Sequence, residues 1–502
     1  MSWSEWLLLM NAHDEKEVDA AGLRFRSTLG RLGIVPAFKK LIAARGWFFF
    51  SLFIAGCICL APTPSGFSLD AKYALGLLVI VVICFMTESI PLVATAFFIG
   101  AYQVLLGIRT FHEVPKTYMH DSIFFVLGAL MMATVLVKYD IHHRVAVAIL
   151  DRVGTSVHRV IFGVVTVCAL TAAFISEHAA AGVMLPIGIS FVTLSGGKKR
   201  VPQFGKLMML AIAYGCMIGA IATPSGGTRN VIMIDYLRLF SNVSIGYAEW
   251  MIYAFPLTLV LIPITTFVLG RVFRSEVDDL SKAQEAMKEK TKNLGPLRVK
   301  EMYVVAHFLL TVICWIFFSK QIGLGQIALI SATLYLITGV VQWKDYDRGV
   351  NWQVVWLYAG AISLGECISD TGLATWIADN FLAGISVIGI HSGLPLLGSM
   401  AILSSLLANT MSAGPAVAVS GPIILQIGEL AHMNPVVTGM MTALATSFSF
   451  LMVVGSPASM IVYGSGLLTP KDFLKAGWIM TLISVALSVL LLGGIYWRVL
   501  GL

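Results

Sequence analysis

Four short stretches carry side chains able to do chemistry inside otherwise apolar surroundings. Ser176-Glu177-His178 interrupts an apolar run from Ile161 to Phe191, and Thr223-Pro224-Ser225-Gly226-Gly227-Thr228 follows the apolar run that begins at Leu207. Later in the chain stand Ala408-Asn409-Thr410-Met411-Ser412 and Gly455-Ser456-Pro457-Ala458-Ser459. Hydroxyl and amide groups donate hydrogen bonds to an anion, whereas an ionised Glu only accepts. A helix broken at such a point exposes N–H groups at one half-helix, which suit an anion, and carbonyls at the other, which suit a cation. One such element would read as a kink, because Pro and Gly are common in membrane helices. Two matched pairs point to a binding site. Enzyme chemistry fits poorly. Ser176-Glu177-His178 lacks the i, i+4 histidines of a zinc protease, and Ser176 and His178 sit two apart on different helix faces. The sequence has no Gly-x-x-x-x-Gly-Lys-Ser/Thr loop for driving a pump with ATP.

The elements that position these residues are membrane helices. Of 502 residues, 58% are hydrophobic and 12% charged, with a mean hydropathy of +0.85, against roughly 25% charged in soluble domains. Apolar blocks such as Gly46–Ala61, Tyr73–Met86, Val160–Ile175, Ile252–Leu269 and Val304–Phe318 approach the roughly 20 residues that cross a hydrocarbon core. Backbone groups in lipid must be satisfied internally, so the blocks are expected to be helices. The chain is an all-α polytopic membrane protein on this reading. Met1 to Ala44 lacks the features of a cleaved leader. Within it Leu32, Ile34, Val35, Phe38, Leu41 and Ile42 form an apolar stripe beside Arg31, Lys39, Lys40 and Arg45, which suits an interfacial helix on an anionic surface. The seven cysteines have neither CxxC nor paired-loop spacing, so disulfides and a metal cluster are unsupported. The formal charge of +7 comes from Lys and Arg concentrated between spans, such as Lys198, Lys199 and Arg200, and Lys288, Lys290 and Lys292. Positive-inside topology accounts for them without nucleic acid, and places these loops and the N-terminus in the cytoplasm, the protein lying in the cell (inner) membrane.

A polar stretch from Arg271 to Lys300 divides the chain into corresponding halves. The expected organisation is an N-terminal arm over 1–45, a first membrane half over 46–270, a linker over 271–302 and a second half over 303–502. Three matches keep their order. Ser176 and Ala408 stand 232 residues apart, as do Gly128-Ala129 and Gly360-Ala361, while Pro224 and Pro457 stand 233 apart. Phe124 to Asp140 and Val354 to Asp370 are each either one span or a re-entrant hairpin. Many secondary transporters use inverted repeats with substrate near the midplane.

On these residues the chain resembles the divalent anion and sodium symporter family, which includes bacterial and animal dicarboxylate, citrate and sulfate transporters. The likeness runs from about Thr87-Glu88-Ser89-Ile90-Pro91 to Gly464-Ser465-Gly466. The resemblance implies a homodimer and inverted repeats with broken helices. It also implies a scaffold with a moving transport domain of elevator type, and two re-entrant hairpins near Phe124–Ile141 and Val354–Thr371. It implies substrate between two Ser-Asn-Thr-like motifs, with sodium beside each motif and its partner loop. Carried over, the substrate contacts are Glu177, His178, Thr223, Pro224, Asn409, Thr410, Ser456 and Pro457. The cation contacts are Ser176, Glu177, Ala222, Ala408, Asn409 and Gly455, with no metal beyond sodium and no organic cofactor.

The first motif departs from the pattern by placing Glu177 and His178 after the serine. Glu177 is expected either to be protonated and carry a proton with the anion, to stay charged as a cation ligand, to pair with His178, or only to tie helices together. Glu88 is expected to cap the following helix, Glu366 to lie in the second hairpin candidate, and His142 and His143 to sit on a solvated loop. The expected function is secondary transport of small anions of the dicarboxylate, sulfate or sulfonate class, coupled to sodium or protons or run as exchange. The alternative is a cation/proton antiporter or arsenite-type permease, with a membrane-embedded enzyme further behind.

Overall fold

A computed structural model describes residues 45–63, 66–150, 152–281, 284–285, 296 and 298–502. The stripe from Leu32 to Ile42, and Lys288, Lys290 and Lys292, lie outside the described residues. Among the described residues the regular structure is helical, and nine helices are long and apolar enough to cross a membrane. The first half comprises α1 (Gly46–Leu60), α2 (Leu69–Thr87), α3 (Leu92–Leu105), α4 (Val114–Tyr118), α5 (Asp121–Lys138) and α6 (Ile141–Leu150). It continues with α7 (Val157–Ile175), α8 (Glu177–Leu194), α9 (Pro202–Gly219), a 3-10 turn at Pro224–Gly226, α10 (Thr228–Ser241) and α11 (Tyr247–Val272). The second half begins with α12 (Val299–Ile322), α13 (Leu324–Ile337), α14 (Trp343–Gly349), α15 (Trp352–Asp370) and α16 (Leu373–Ser386). After these come α17 (Gly393–Met411), α18 (Ala413–Leu430), α19 (Pro435–Thr446), a 3-10 turn at Val453–Gly455, α20 (Pro457–Tyr463) and α21 (Pro470–Leu487), which runs on to Val499.

Local chemistry sets many of the ends. The Ser68 hydroxyl accepts from Ala71 N at 3.0 Å to start α2, and Asp472 accepts from Thr469 N at 2.8 Å to start α21, as expected of N-terminal caps. Proline opens α9, α19, α20 and α21, where its missing N–H costs no helical hydrogen bond.

Contacts between loops sort the helix ends into two faces. On one, Lys138 meets Asp345 at 2.6 Å, Leu280 N donates to Thr155 O at 2.8 Å, Gln203 N to Glu276 at 2.7 Å, and Lys206 meets Asp472 at 2.7 Å. On the other, Ser68 donates to Thr371 O at 3.1 Å, Arg109 meets Glu366 at 3.0 Å, Gly325 N donates to Asp121 at 3.3 Å and Lys320 meets Glu249 at 2.6 Å. Tyr496 adds a bond to Ile252 O at 3.0 Å on that second face. Helix α11 therefore starts on the second face and its counterpart α21 on the first. Helix α5 likewise runs from second to first face and its counterpart α15 from first to second. The halves are inverted repeats.

Their packing is exchanged reciprocally. Helix α3 packs on α15 and α13 on α5, while α10 packs on α18 and α20 on α8. Gly128 and Gly360 make the first two crossings close, because a Cβ would stand 2.5 Å from the Ala328 side chain in one and 2.8 Å from Ala96 in the other. Two packing groups result. Helices α1–α5 and α12–α15 form one and α7–α11 with α17–α21 the other; the two meet along α15, which packs on α18 and α10, and are linked in the chain by the short helices α6 and α16.

The re-entrant hairpins are present but lie elsewhere than expected. Phe124–Ile141 and Val354–Thr371 are not hairpins, because α5 and α15 each run between faces. The hairpins are α7–α8 and α17–α18. The beginning of α7 and the first turn of α9, which follows α8 after a short loop, both meet residues 276–280 on the first face. Near the start of α17, Leu396 and Met400 pack with Ile424 and Ile427 near the end of α18. Leu394 also meets Gly494 beside the second face. The hairpins thus enter from opposite faces.

Candidate functional site

The two hairpins turn on single serines. Ser176 holds φ 87°, ψ 151° and Ser412 holds φ 73°, ψ 158°, the same backbone conformation at the same place in each half. Both belong to a region that is otherwise essentially reserved for glycine, and neither hydroxyl has a hydrogen-bond partner among the described residues. The true counterpart of Ser176 is therefore Ser412, 236 residues on, and not Ala408. Pro186 and Pro422, inside α8 and α18, keep the same separation of 236. Ala408-Asn409-Thr410 forms the last turn of α17, one turn before the break. The partner loops shift too. Gly227 at φ −149°, ψ 138° matches Ser456 at φ −148°, ψ 141°, so Pro224 and Pro457 are not equivalent. Pro224 opens the 3-10 turn, whereas Pro457 opens α20.

Each loop is fastened to its hairpin. Thr223 donates to Ala173 O at the end of α7, and its hydroxyl accepts from Gly226 N at 3.2 Å. Ala222 N bonds Gly219 O at 3.0 Å. Asn230 donates to Ala220 O at 2.8 Å and Thr223 O at 2.7 Å, leaving a buried Oδ1 without a partner among the described residues. In the second half Asn409 donates to Ser405 O at 2.8 Å and Phe448 O at 3.4 Å, and accepts from Leu451 N at 2.8 Å. Both ends of this amide are committed to the backbone, and Asn409 is 2% exposed. Thr410 donates to Leu407 O within its own helix at 2.8 Å, and Ala408 O accepts from Ser412 N at 3.0 Å. Gly455 O accepts from Ser449 at 2.8 Å, and the Ser456 hydroxyl accepts from Ala458 N at 3.1 Å.

The first helical turns of α8, α10 and α18 converge. Glu177 opens α8 and meets Arg229, in the first turn of α10, at 3.4 Å. One residue before Arg229, the Thr228 hydroxyl faces Gly414 in the first turn of α18, where a Cβ would stand 3.4 Å from it. The first turn of α10 thus lies against those of both α8 and α18, each helix N-terminus a partial positive charge with unused N–H groups, between hairpins that enter from opposite faces. Sequence reasoning missed Arg229. The signal was available, since an Arg directly after the broken stretch Thr223–Thr228 is an ionisable residue inside the membrane region, a functional candidate by default. Glu177 does not pair with His178, which is exposed. Its partner is Arg229, and both side chains are almost wholly buried.

Other charges stand away from this point. Glu366 bonds Arg109 at 3.0 Å and His120 at 2.9 Å on the second face. Glu88 adopts φ 46° and closes α2 rather than capping α3. His142 is buried, not solvated. Among the described residues no group of three His, Cys, Asp or Glu could hold a metal. The unpartnered Asn230 Oδ1 is a hard oxygen donor of the kind a sodium ion takes.

Comparison with known proteins agrees with this architecture. Residues 45–502 match the family model described as "Sodium:sulfate symporter transmembrane region". The sodium-dependent dicarboxylate transporter SdcS of Staphylococcus saprophyticus is 25% identical over 467 residues, covering 88% of this chain and 89% of that protein. SdcS of Staphylococcus aureus strain MRSA252 is 27% identical, with 88% of each chain covered. The crystal structure of the Alcanivorax borkumensis YdaH transporter aligns with a TM-score of 0.52 at 14% identity, over 77% of this chain and 86% of that one, a likeness of fold. The chain belongs to the family defined by the sodium:sulfate symporter transmembrane region.

Proposed function

We propose that this protein is a secondary transporter of small divalent or monovalent anions of the dicarboxylate, sulfate or sulfonate class. It works by elevator-type alternating access, with the group α7–α11 and α17–α21 moving against α1–α5 and α12–α15. The observation that carries the reading is the convergence of three helix N-termini and two unengaged serine hydroxyls where opposed hairpins meet. In this reading Ser176, Thr228 and Ser412 face the anion, with Glu177 and His178 beside it. Thr223, Pro224, Asn409, Thr410, Ser456 and Pro457 hold the breaks in shape, and Ala222, Ala408 and Gly455 lie against the cation positions. The sodium dependence named for the SdcS relatives supports a sodium site at Asn230 Oδ1. The engagement of Glu177 by the Arg229 guanidinium at 3.4 Å, together with the sodium dependence named for the SdcS relatives, favours sodium coupling or exchange over the proton-carrying role. The family resemblance supports a homodimer. The Lys and Arg residues gathered on the first face support an orientation with that face and the N-terminus cytoplasmic, in the cell membrane.

The test is uptake of labelled succinate, sulfate and methanesulfonate into proteoliposomes under separately imposed sodium, proton and counter-anion gradients. Saturable uptake driven by sodium or by counter-anion is expected. Substrate turnover without a second compartment, or proton-driven cation flux without anion flux, would overturn the reading.

A further inference from the structure

The Arg229 guanidinium presents more hydrogen-bonding capacity than the protein uses. Its side chain is 2% exposed, and only Nη1 finds a partner, Glu177 Oε2 at 3.4 Å. Nε and Nη2 are fully buried and have no partner among the described residues. These two nitrogens form the side-on edge of the fork, the edge that binds two oxygens of a carboxylate, sulfate or sulfonate at once. Gly227 packs directly against this edge. A Cβ at Gly227 would stand 3.1 Å from Arg229 Cζ and 3.3 Å from Nη2. The Tyr358 hydroxyl on α15 is also buried without a partner among the described residues. Two buried donors of Arg229 therefore stand without an acceptor bonded to them. A buried donor left unsatisfied is costly, which argues for a partner that the protein itself does not supply.

We propose that Arg229 anchors the transported anion through its Nε–Nη2 edge, and that Glu177 is a resident carboxylate competing for the same guanidinium. The inference rests on the transport reading above and adds to it the group that recognises the substrate. The fit is to a ligand with two coplanar or tetrahedrally disposed anionic oxygens. Glu177 holds the cation in place in the unloaded site, and its long 3.4 Å contact is the weak one an incoming oxoanion can outcompete. Competition makes two opposite demands on variants. Removing the charge of Glu177 strengthens anion binding, and replacing the fork by a point charge weakens it even though the net charge is unchanged.

The test is calorimetric binding of succinate, sulfate and methanesulfonate to the purified full-length protein in nanodiscs, with melting temperature recorded for every variant. Glu177→Gln is expected to bind about tenfold more tightly than wild type, and Arg229→Lys about a hundredfold more weakly. The double variant Glu177→Gln/Arg229→Gln removes both charges together and leaves no buried unpaired charge, so it stays testable if Arg229→Lys does not fold. No measurable binding is expected from it. Wild-type affinity in a folded Arg229→Lys or in the double variant would overturn the role of Arg229 while leaving the transport reading intact. Unchanged affinity in Glu177→Gln would overturn the competition. Failure of the wild type both to bind and to carry all three anions would overturn the transport reading and this inference together.

Discussion

Ser176 and Ser412 define the site at the scale of single residues. Their φ of 87° and 73° with ψ near extended values costs about 1–3 kcal/mol per non-glycine residue, so a serine at each turn implies a use for its hydroxyl. Ser412→Gly should leave the melting temperature in detergent unchanged or raise it, while weakening anion binding. Ser412→Val should lower the melting temperature. A valine variant as stable as wild type would contradict the backbone argument. Asn409 illustrates the opposite case, a polar residue near the site whose amide is engaged on all sides. Asn409→Ala leaves the half-buried Leu451 N unpaired, at a cost of about 1 kcal/mol. Loss of uptake should come with a drop in melting temperature. Abolished uptake at an unaltered melting temperature would instead return Asn409 to the substrate.

At the scale of elements, the site depends on how tightly each broken helix lies against its hairpin. Gly226 is a close point between the loop and the hairpin in the first half. A Cβ there would stand 2.8 Å from Ala220 O and 2.9 Å from Ala173 O, and backbone carbonyls cannot move aside as a flexible side chain could. Gly226→Ala should lift the loop off the end of α7 and abolish uptake, with a lowered melting temperature. Normal uptake by this variant would show that the loop need not touch the hairpin. Between halves, Lys138 at the end of α5 holds Asp345 in α14 at 2.6 Å. Burial pushes the Asp345 carboxyl up, but the Gln342 N–H and Lys138 outweigh it and hold the carboxyl below the usual range. A lowered folded value means that the stabilisation is complete above the unfolded value, about 3.9, and is lost as pH falls through the folded one. The wild type should therefore lose more stability than Asp345→Asn on acidification below about pH 4. Parallel losses would remove this pair from the account.

The whole molecule consists of two packing groups related within themselves by inverted repeats, and the elevator proposal requires one to slide against the other. Helix α10 belongs to one group and α15 to the other. They meet where Tyr236 donates to Ala361 O at 2.8 Å and its ring fills the space a side chain at Gly365 would need. With the seven native cysteines replaced, Tyr236→Cys and Gly365→Cys joined by a short bifunctional thiol reagent should arrest transport while preserving anion binding. Full transport by the cross-linked protein would show that these helices travel together and that the boundary between moving and fixed parts is drawn elsewhere.

The sequence by itself determined the class of structure, because composition and apolar block length leave helices in a bilayer as the only way to satisfy the backbone. It also determined that the chain is duplicated, and the Gly128 and Gly360 match kept its separation of 232 residues because α5 and α15 carry no insertion relative to each other. The break positions did not, since insertions before α17 and deletions before α20 move the offset to 236 and then to 229, and short polar motifs one helical turn apart look alike in a string. Pro186 and Pro422 carried the correct separation, since a proline inside the returning arm marks a fixed place along each hairpin. Only the tertiary structure decided which apolar segments re-enter from one face, since a helix that crosses and one that turns back at the midplane bury the same kinds of residue. Only it paired Glu177 with Arg229, 52 residues away, because a contact between the first turns of two broken helices depends on where the repeats bring those turns together.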